Sequence, residues 1–292
     1  MLKHVLEHRA SSETRPLHFY ASSAGNAGLA CVTAATSLGY KSTVILPTTS
    51  EPGFIEKLYS AGASGVITHG QSWYFANEHL LEVVVPAAEA RGEKAICIHP
   101  FDDPSIWDGA SSMIDEISAQ MPGNEKPDAV VCSVGGGGLF AGIMQGLDRH
   151  GWADSTQVLA VETRGAHSLA YSLQRKALTR LPAITSVADS LGAIRVAERA
   201  FREAQRPNVT SMVLEDVEAC EACWRFLDDE RILVEPACGA SVAMAYDRRL
   251  QNHLSSYRPE SKVVIIVCGG SKISLDLLER YRRMYTAAAC DS

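Results

Sequence analysis

Short runs of β-branched and other apolar residues alternate along this chain with longer stretches of helical periodicity. The strand-like runs are Leu17–Tyr20, Ser42–Leu46, Gly65–Thr68, Ala95–Ile98, Ala129–Ser133, Gln157–Val161, Val209–Leu214 and Lys262–Val267. The intervening stretches, in which apolar residues recur every three or four positions, include Pro52–Ala61, Ile106–Met121 and Asp216–Asp229. Repeated strand–helix–strand units require parallel strands covered by helices on both faces, so the sequence predicts an α/β fold.

The length of the chain predicts more than one domain. At 292 residues with 46% hydrophobic residues, it is at the size beyond which a single core usually stops growing. A turn-rich segment around Asp102, Asp103 and Pro104 is the best candidate for a domain boundary. We therefore expect two α/β domains with parallel-rich sheets, spanning residues 1–105 and 106–292.

Charge and composition exclude several classes of partner. The net charge of −7 and the pI near 5.7 argue against nucleic acid or an anionic membrane surface. The longest apolar runs, such as Val263–Cys268, are far shorter than the ~20 residues that cross a bilayer. The eight cysteines are scattered through apolar strand and helix contexts, which favours buried free thiols in a reducing compartment. We expect a soluble, cytoplasmic protein.

Three of the predicted strands end in loops that consist almost entirely of small residues. These loops are SSAGN at Ser22–Asn26, SVGGGGL at Ser133–Leu139 and CGGS at Cys268–Ser271. In open parallel sheets, ligands bind outside the carboxyl ends of the strands. Because small side chains leave the backbone accessible, three such loops in one chain indicate a ligand site built largely from main-chain groups.

The four consecutive glycines at Gly135–Gly138 favour phosphate binding. Free N–H groups beside the start of a helix form a good anion site. A tight turn that needs glycine only for positive φ is the simpler alternative. A second alternative is the dinucleotide fingerprint Gly136-x-Gly138-x-x-Ala141, with Glu162 as the ribose-binding carboxylate. The fingerprint leaves the other two loops without a role.

The SSAGN and CGGS loops each allow two interpretations. The N–H groups of Ser22–Asn26 can hold a carboxylate, aided by the field of the following helix. Asn26 can cap that helix, or it can turn its amide toward a hydroxyl of a ligand. Cys268 can be a packed thiol, or it can face a ring nitrogen at the end of its strand.

Seven motifs, taken together and in order, resemble one enzyme family. They are SSAGNAG, PFDDPSIWDG, SVGGGGL, VETRGAHS, ITSVADSLG, ILVEPACGAS and VVIIVCGGSKISL, from Ser22 to Leu275. The chain resembles the fold-type II (tryptophan synthase β-like) enzymes that use pyridoxal 5′-phosphate (PLP), specifically the L-serine/L-threonine dehydratases of the liver and fungal type. The resemblance implies a substrate-binding domain at 1–105, a PLP-binding domain at 106–292, and the cofactor between them.

The resemblance also assigns roles to the loop residues. The cofactor phosphate would be held by Gly135, Gly136, Gly137, Gly138 and Leu139. Asn26 would hydrogen-bond the 3′ oxygen of the pyridine ring, and Cys268 would face the ring nitrogen. The carboxylate of the amino-acid substrate would be held by Ser22, Ser23, Ala24 and Gly25. A thiol cannot stabilise a fully protonated pyridinium as a carboxylate does, which suits β-elimination.

A monovalent cation, K⁺ in the first instance, is a further implication of the resemblance. Its ligands would be Glu162, Ala166 and Ser168, with carbonyls from Leu191 and Ala193. One carboxylate and several carbonyls form the hard oxygen cage that such an ion prefers. The alternative for Glu162 is a solvated carboxylate at a strand end. The family further implies a homodimer and a role in amino-acid catabolism and gluconeogenesis. Glu235 is assigned to the architecture of the site.

The Schiff-base lysine of the family is not found at its expected place. It sits in a segment resembling Ser-Phe-Lys-x-Arg-Gly, one helix before the SSAGN strand, and no such segment occurs in the 292 residues. Lys3, Lys41 and Lys272 do not occupy the family position, and Lys3 is interpreted as a solvated helix lysine. We expect either a fragment that several tens of residues precede or a lysine-less homologue, in which elimination falls by orders of magnitude.

The function implied by the resemblance is deamination of L-serine to pyruvate and ammonia, with L-threonine giving 2-oxobutanoate. Two alternatives stand beside it. One is a non-catalytic protein that binds PLP or an amino acid. The other is an NAD-dependent oxidoreductase, based on Gly136-x-Gly138 and Glu162.

Overall fold

The structure is a computed structural model of the chain that describes residues 1–7 and 13–290. The chain divides into two compact units, Met1–Ser105 and Ile106–Ser292. In the described residues, all eight predicted strands form, and all of them pair in parallel within two four-stranded sheets. The predicted α/β class is therefore confirmed.

Unit 1 (Met1–Ser105) contains the first sheet. Its strands are β1 Leu17–Ser22, β2 Lys41–Leu46, β3 Gly65–Thr68 and β4 Lys94–Ile98. Its helices are α1 Leu2–Glu7, α2 Asn26–Ser37, α3 Pro52–Ser60, α4 Trp73–His79 and α5 Val85–Ala90, with a π-helical turn at Leu80–Val84 between the last two. Apolar residues on both faces of the sheet pack against these helices in three clusters.

Unit 2 (Ile106–Ser292) contains the second sheet. Its strands are β5 Ala129–Ser133, β6 Gln157–Thr163, β7 Val209–Leu214 and β8 Val263–Ile265. Its α-helices are α6 Pro104–Gln120 (which begins at the unit boundary), α7 Gly138–Arg149, α8 Ser168–Gln174, α9 Glu198–Glu203, α10 Asp216–Glu230, α11 Pro236–Val242, α12 Arg249–His253 and α13 Leu275–Cys290. Short 3₁₀ turns lie at Pro122–Asn124, Asp189–Leu191 and Ala243–Ala245.

The two sheets share one connection pattern. The strand order is β3-β2-β1-β4 in unit 1 and β7-β6-β5-β8 in unit 2. In each sheet the chain first steps to one side of the initial strand and later returns to the other side of it. The reversal point therefore lies at β1 in unit 1 and at β5 in unit 2, and crevices at the carboxyl ends of such strands are where α/β sheets bind ligands.

The strand boundaries differ from the prediction in ways that have physical reasons. β1 and β6 run on to Ser22 and Thr163, because β2 pairs with β1 as far as Ser22 and β7 pairs with β6 as far as Thr163. β8 is shorter than the predicted Lys262–Val267 and only half-buried, since it is an edge strand with one partner. Its ladder ends with the Ile266 N–H donating to the Val131 carbonyl at 2.9 Å.

The buried thiols agree with the sequence-based prediction. Cys31, Cys132, Cys220, Cys223 and Cys238 are buried, and the cysteines that the structure describes are all free. Within residues 1–7 and 13–290, no helix combines the length and the apolar character needed to cross a bilayer.

Candidate functional site

The glycine loop of unit 2 follows β5, the strand at the reversal point of its sheet. Gly137 has φ 90° and precedes the first residue of the 12-residue helix α7. A Cβ atom on Gly137 would lie 2.4 Å from the Cβ of Ala200, and one on Gly135 would lie 3.0 Å from the Cα of Leu191. Gly137 is therefore required both by close packing and by its left-handed backbone conformation, whereas Gly135 is required by close packing against Leu191.

The surroundings of this loop fit an anion. The loop leads into the N-terminus of α7, where N–H groups and the helix dipole favour negative charge. Ser133, the last residue of β5, is 6% exposed, and in the described part of the chain its hydroxyl has no hydrogen-bond partner. A buried hydroxyl without a partner indicates a missing ligand or water. The loop can therefore hold a phosphate.

The CGGS loop follows β8, the neighbour of β5 in the same sheet, so both loops lie at one edge. Gly269 and Gly270 have φ values of 75° and 121°. Cys268 is exposed when the residue is taken as a whole. Its thiol group is nevertheless surrounded by protein atoms, and this desolvation raises the pKa of the thiol to about 11, with a smaller contribution from Cys238. Cys268 is therefore a neutral thiol at pH 7, not a thiolate.

Glu235 fixes the shape of the CGGS loop from inside the protein. Its side chain is 4% exposed. Oε1 accepts a hydrogen bond from the Lys272 N–H at 2.7 Å, and Oε2 accepts one from the Ser190 hydroxyl at 2.6 Å. Gly270 lies against this carboxyl group, because a Cβ atom there would come within 2.3 Å of the Glu235 Cδ. The sequence placed Glu235 in the architecture of the site without assigning these contacts.

Glu162 lies within β6 and is fully buried. Its two oxygens accept hydrogen bonds from the N–H groups of Leu169 and Ala170, both at 2.8 Å. Burial raises its pKa to about 8, although the two N–H donors act in the opposite direction. The solvated-carboxylate interpretation of Glu162 is therefore wrong. The dinucleotide alternative loses its support as well, since these oxygens are not available to a ribose.

The other residues assigned to the cation site are buried or half-buried. Ala166 and Ser168 are fully buried, and the Ser168 hydroxyl has no hydrogen-bond partner in the part of the chain that the structure describes. Leu191 is buried and Ala193 half-buried, and the Ala193 N–H donates to the Leu191 carbonyl at 2.7 Å. A buried carboxyl group beside an unpaired hydroxyl is a donor set that suits a hard cation.

The SSAGN loop of unit 1 follows β1, the strand at the reversal point of the first sheet. Its capping alternative is wrong as stated: Gly25 is the cap residue of α2 and Asn26 is the first residue inside the helix. Ser23, Ala24, Gly25 and Asn26 are half-buried. The Gly25 N–H donates to the Ser23 hydroxyl at 3.3 Å.

Two observations in unit 1 point to a role for this loop in binding. Ser22 is 1% exposed, and its hydroxyl has no partner among the described residues. Gly28, one turn into α2, packs so closely that a Cβ atom would lie 2.3 Å from the Ser23 carbonyl oxygen. The helix therefore starts directly behind the loop, so the dipole of α2 would interact favourably with an anion bound there.

Trp73 is a contact of this loop that sequence reasoning missed. Its indole N–H donates to the Ser22 carbonyl at 2.7 Å, although 41% of the residue is exposed. Trp73 follows β3, which lies two strands away from β1. Gly70, with φ 65°, allows the backbone turn between β3 and Trp73. The tryptophan after Gly70 was visible in the sequence, but nothing local connected it with a loop fifty residues earlier.

Of the three lysines considered near the motifs, two form ion pairs and one is exposed at the start of a strand. Lys3 is 83% exposed and pairs with Glu7 at 3.7 Å, which confirms its interpretation as a solvated helix lysine. Lys272 donates to Asp189 at 2.6 Å. Lys41 is exposed at the start of β2.

The glycine loop, the CGGS loop and the Glu162 group all belong to unit 2, where they follow adjacent strands in the order β6, β5, β8. Gly135 packs directly on Leu191, so the glycine loop contacts the segment that carries Leu191 and Ala193. The SSAGN loop and its Trp73 contact belong to unit 1.

Comparisons with known proteins agree with this arrangement. A family model described as pyridoxal-phosphate dependent enzyme matches residues 1–269. The chain is 42% identical to an L-serine dehydratase of Dictyostelium discoideum over 276 residues, which cover 92% of this chain and 77% of that protein. It is 41% identical to an L-serine dehydratase/L-threonine deaminase of Mus musculus, covering 94% and 82% of the two chains. The fold matches a crystal structure of a fungal L-serine ammonia-lyase from Rhizomucor miehei with a TM-score of 0.84 and 26% identity, covering 97% and 85%.

Proposed function

The chain belongs to the pyridoxal-phosphate dependent enzymes, and we propose that it deaminates L-serine to pyruvate and ammonia, with L-threonine as a second substrate. The observation that carries the proposal is the pairing of two loops at one edge of the unit 2 sheet. The glycine loop suits a phosphate, and the CGGS loop presents a neutral thiol beside it. The names of the relatives at about 40% identity support the same substrates.

The described residues fit the cofactor. Gly135, Gly136, Gly137, Gly138 and Leu139 would hold its phosphate through main-chain N–H groups, and the partnerless Ser133 hydroxyl lies at the base of that loop. Cys268 would meet the ring nitrogen as a neutral S–H group. When bound, PLP withdraws electrons from the α-carbon of an amino acid. A neutral partner at the ring nitrogen limits that withdrawal, which favours loss of a β-hydroxyl group over deeper carbanion chemistry.

In unit 1, we assign the substrate carboxylate to the loop Ser22, Ser23, Ala24 and Gly25. Their small side chains cover little of the loop backbone, and α2 begins immediately behind them. Asn26, at the first position of α2, would hydrogen-bond the 3′ oxygen of the cofactor ring. The roles of unit 1 in substrate binding and of unit 2 in cofactor binding follow from these assignments.

We also propose a monovalent cation, K⁺, bound by Glu162, Ala166 and Ser168 with carbonyls of Leu191 and Ala193. The support is the full burial of a carboxyl group and a partnerless hydroxyl in one enclosed region. A cation would compensate the buried charge, which is costly when it is alone. Because Leu191 packs on Gly135, the ion would also stabilise the glycine loop.

Three broader proposals accompany this function. A cytoplasmic location is supported by the free cysteines, which suit a reducing compartment. A homodimer is supported by the resemblance of the motifs to those of the serine dehydratases. Pyruvate is a three-carbon precursor of glucose, which supports a role in amino-acid catabolism that feeds gluconeogenesis.

The cofactor assignment is tested with pyridoxine 5′-phosphate, which lacks the aldehyde and so does not react with surface lysines. We expect saturable binding of one molecule per chain, competition by inorganic phosphate, and no binding of NAD. Binding of NAD in place of pyridoxine 5′-phosphate would overturn the proposal.

The reaction is tested by adding PLP and L-serine and measuring pyruvate. Because no Ser-Phe-Lys-x-Arg-Gly segment occurs in these 292 residues, the assay is run with and without an added primary amine, which can substitute for the missing side chain. We expect slow pyruvate formation that the amine accelerates. A chain that binds the cofactor but gives no pyruvate in either condition would be a non-catalytic binder.

A further inference from the structure

Two irregular segments of unit 2 carry the proposed cofactor and cation contacts, and a buried side chain contacts both of them. The first is the CGGS loop with the following residue, residues 268–272. The second is the anchored segment, residues 184–193, which includes a 3₁₀ turn at Asp189–Leu191. Glu235 caps α11 between them and contacts both.

The contact of Glu235 with the CGGS loop determines the path of that loop. The Glu235 N–H donates to the Gly269 carbonyl at 2.9 Å, and Oε1 accepts from the Lys272 N–H at 2.7 Å. The two bonds bracket Gly270, whose φ of 121° lets the backbone pass over the carboxyl group. The loop is thus folded around Glu235, and Cys268 lies immediately before the first of these bonds.

The contact of Glu235 with the anchored segment includes a short hydrogen bond from Ser190. The Ser190 hydroxyl donates to Oε2 at 2.6 Å. Farther back in the segment, Asp216 at the start of α10 accepts from the Ser186 hydroxyl at 2.5 Å and from the Val187 N–H at 2.9 Å. Asp216 and Glu235, each at the N-terminus of a helix, therefore bind the segment at two different points. Leu191, the residue after Ser190, packs on Gly135.

A second link between the same two segments provides an internal control. Lys272 Nζ pairs with Asp189 at 2.6 Å, but 59% of the Asp189 side chain is exposed. Exposed ion pairs contribute little because water screens them. Glu235 is 4% exposed, and hydrogen bonds to a buried carboxylate are stronger. If rigidity is transmitted between the segments, it therefore passes through the Glu235 side chain and not through the ion pair of Lys272 with Asp189.

We propose that Glu235 is a positioning residue that locks the CGGS loop to the anchored segment, so that Cys268 and the Leu191–Ala193 backbone hold their positions jointly. This inference rests on the proposed function for its meaning in catalysis, but the coupling itself is a property of the chain without ligands. It predicts that a change at Ser190 alters the reactivity of Cys268 through Glu235.

The coupling is measured by the rate at which iodoacetamide alkylates Cys268, followed by mass spectrometry of the peptide that contains it. We expect Ser190→Ala and Glu235→Gln each to raise that rate about tenfold, the factor that corresponds to losing one hydrogen bond to a charged group. In the double variant the two effects should not multiply, because both remove one link. Asp189→Asn, the control for the exposed pair, should leave the rate within about twofold.

Two outcomes would overturn the proposal: an unchanged rate in Ser190→Ala, or effects of Ser190→Ala and Glu235→Gln that multiply. Both variants nearly preserve side-chain volume, so the test does not depend on Glu235→Ala folding. Hydrogen exchange of residues 268–272 in the same variants reports the loop without any cysteine chemistry.

A binding experiment connects the coupling with the cofactor. In Glu235→Gln, the dissociation constant of pyridoxine 5′-phosphate should rise about tenfold while that of inorganic phosphate stays constant, since Glu235 acts on the ring side of the site. General destabilisation would weaken both ligands together and would contradict the positioning role. If the unaltered chain binds no pyridoxine 5′-phosphate, the proposed function fails, and the alkylation rates still decide the role of Glu235.

Discussion

The SSAGN loop of unit 1 and the glycine loop of unit 2 occupy equivalent places in two sheets of the same topology, yet they are held in different ways. A Cβ atom on Gly137 would lie 2.4 Å from Ala200, whereas one on Gly25 would find its nearest heavy atom at 3.9 Å. Gly137 has φ 90°, and Gly25 has the extended φ of −144°.

The difference teaches that small residues at a ligand loop can serve two purposes. In unit 2, glycine is required by the packing of the protein itself, so the loop has one shape with or without a ligand. In unit 1, the space in front of Gly25 is kept clear although the chain would tolerate a side chain there. We infer that the glycine loop is rigid and that the small residues of the SSAGN loop leave open space, as the proposed substrate site requires.

Gly137→Ala should have the largest effect. The variant combines a left-handed φ with a contact that must shift, and the two together should lower the free energy of unfolding by about 2–4 kcal/mol. Binding of pyridoxine 5′-phosphate should weaken about a hundredfold or more, because the loop loses its shape. Urea unfolding and ligand titration measure the two effects. Near-normal values for both would show that the glycine loop is not rigid.

Glu162→Gln should remove the dependence of stability on K⁺. In the unaltered chain, saturating K⁺ should raise the free energy of unfolding by about 2–3 kcal/mol over choline buffer, the gain from a ligand at a hundred times its dissociation constant. In the variant the gain should vanish, since the buried carboxylate that attracts the ion is gone. Thermal unfolding in matched chloride salts checks this, and an equal K⁺ effect in both proteins would place the ion elsewhere.

Trp73→Phe should weaken L-serine binding about tenfold, because the Ser22 carbonyl loses the indole donor that positions the loop. The free energy of unfolding should change by only about 1 kcal/mol, as Trp73 is partly exposed. Titration of the PLP-loaded chain with L-serine measures the affinity. An unchanged serine affinity would remove Trp73 from the substrate site.

Gly25→Ala should be nearly neutral for folding, which makes it the matched partner of Gly137→Ala. Its extended φ and open surroundings permit a methyl group, so the free energy of unfolding should stay within about 1 kcal/mol of the unaltered chain. L-Serine affinity should fall, since the methyl group enters the space kept for the carboxylate. If Gly25→Ala lowered the free energy of unfolding as much as Gly137→Ala does, the proposed difference between the two loops would be contradicted.

The pH dependence of Cys268 alkylation should follow its raised pKa of about 11. Only the thiolate reacts, so the rate should increase about tenfold for each pH unit from 7 to 10 without levelling off. A plateau near pH 9, where an ordinary thiol is mostly ionised, would show that Cys268 is not shielded from water.

Local patterns in the sequence were sufficient to locate the eight strands that the structure describes, apart from their exact ends, and the three loops of small residues. Hydrophobic period and turn composition are properties of neighbouring residues. They could not show that Glu162 is buried. A glutamate after an apolar run is usually exposed, and its burial here depends on β6 continuing beside β7 and on the N–H groups of α8.

Local sequence patterns also could not predict the contacts that support the loops, because the residues in contact are far apart in the chain. Trp73 reaches Ser22 from a strand two places away, and Glu235 meets Ser190 across 45 positions of the chain. The need for glycine at 135 and 137 likewise comes from Leu191, Val196 and Ala200, which lie more than fifty positions later. Contacts of this kind depend on the packing of the whole unit.

A crystal structure of the chain with pyridoxine 5′-phosphate would test the central claim most directly. We predict phosphate oxygens at about 2.7–3.1 Å from main-chain nitrogens within Gly135–Leu139, with the ring nitrogen facing the Cys268 sulfur. A phosphate bound away from this loop, or a ring nitrogen directed away from Cys268, would contradict the claim.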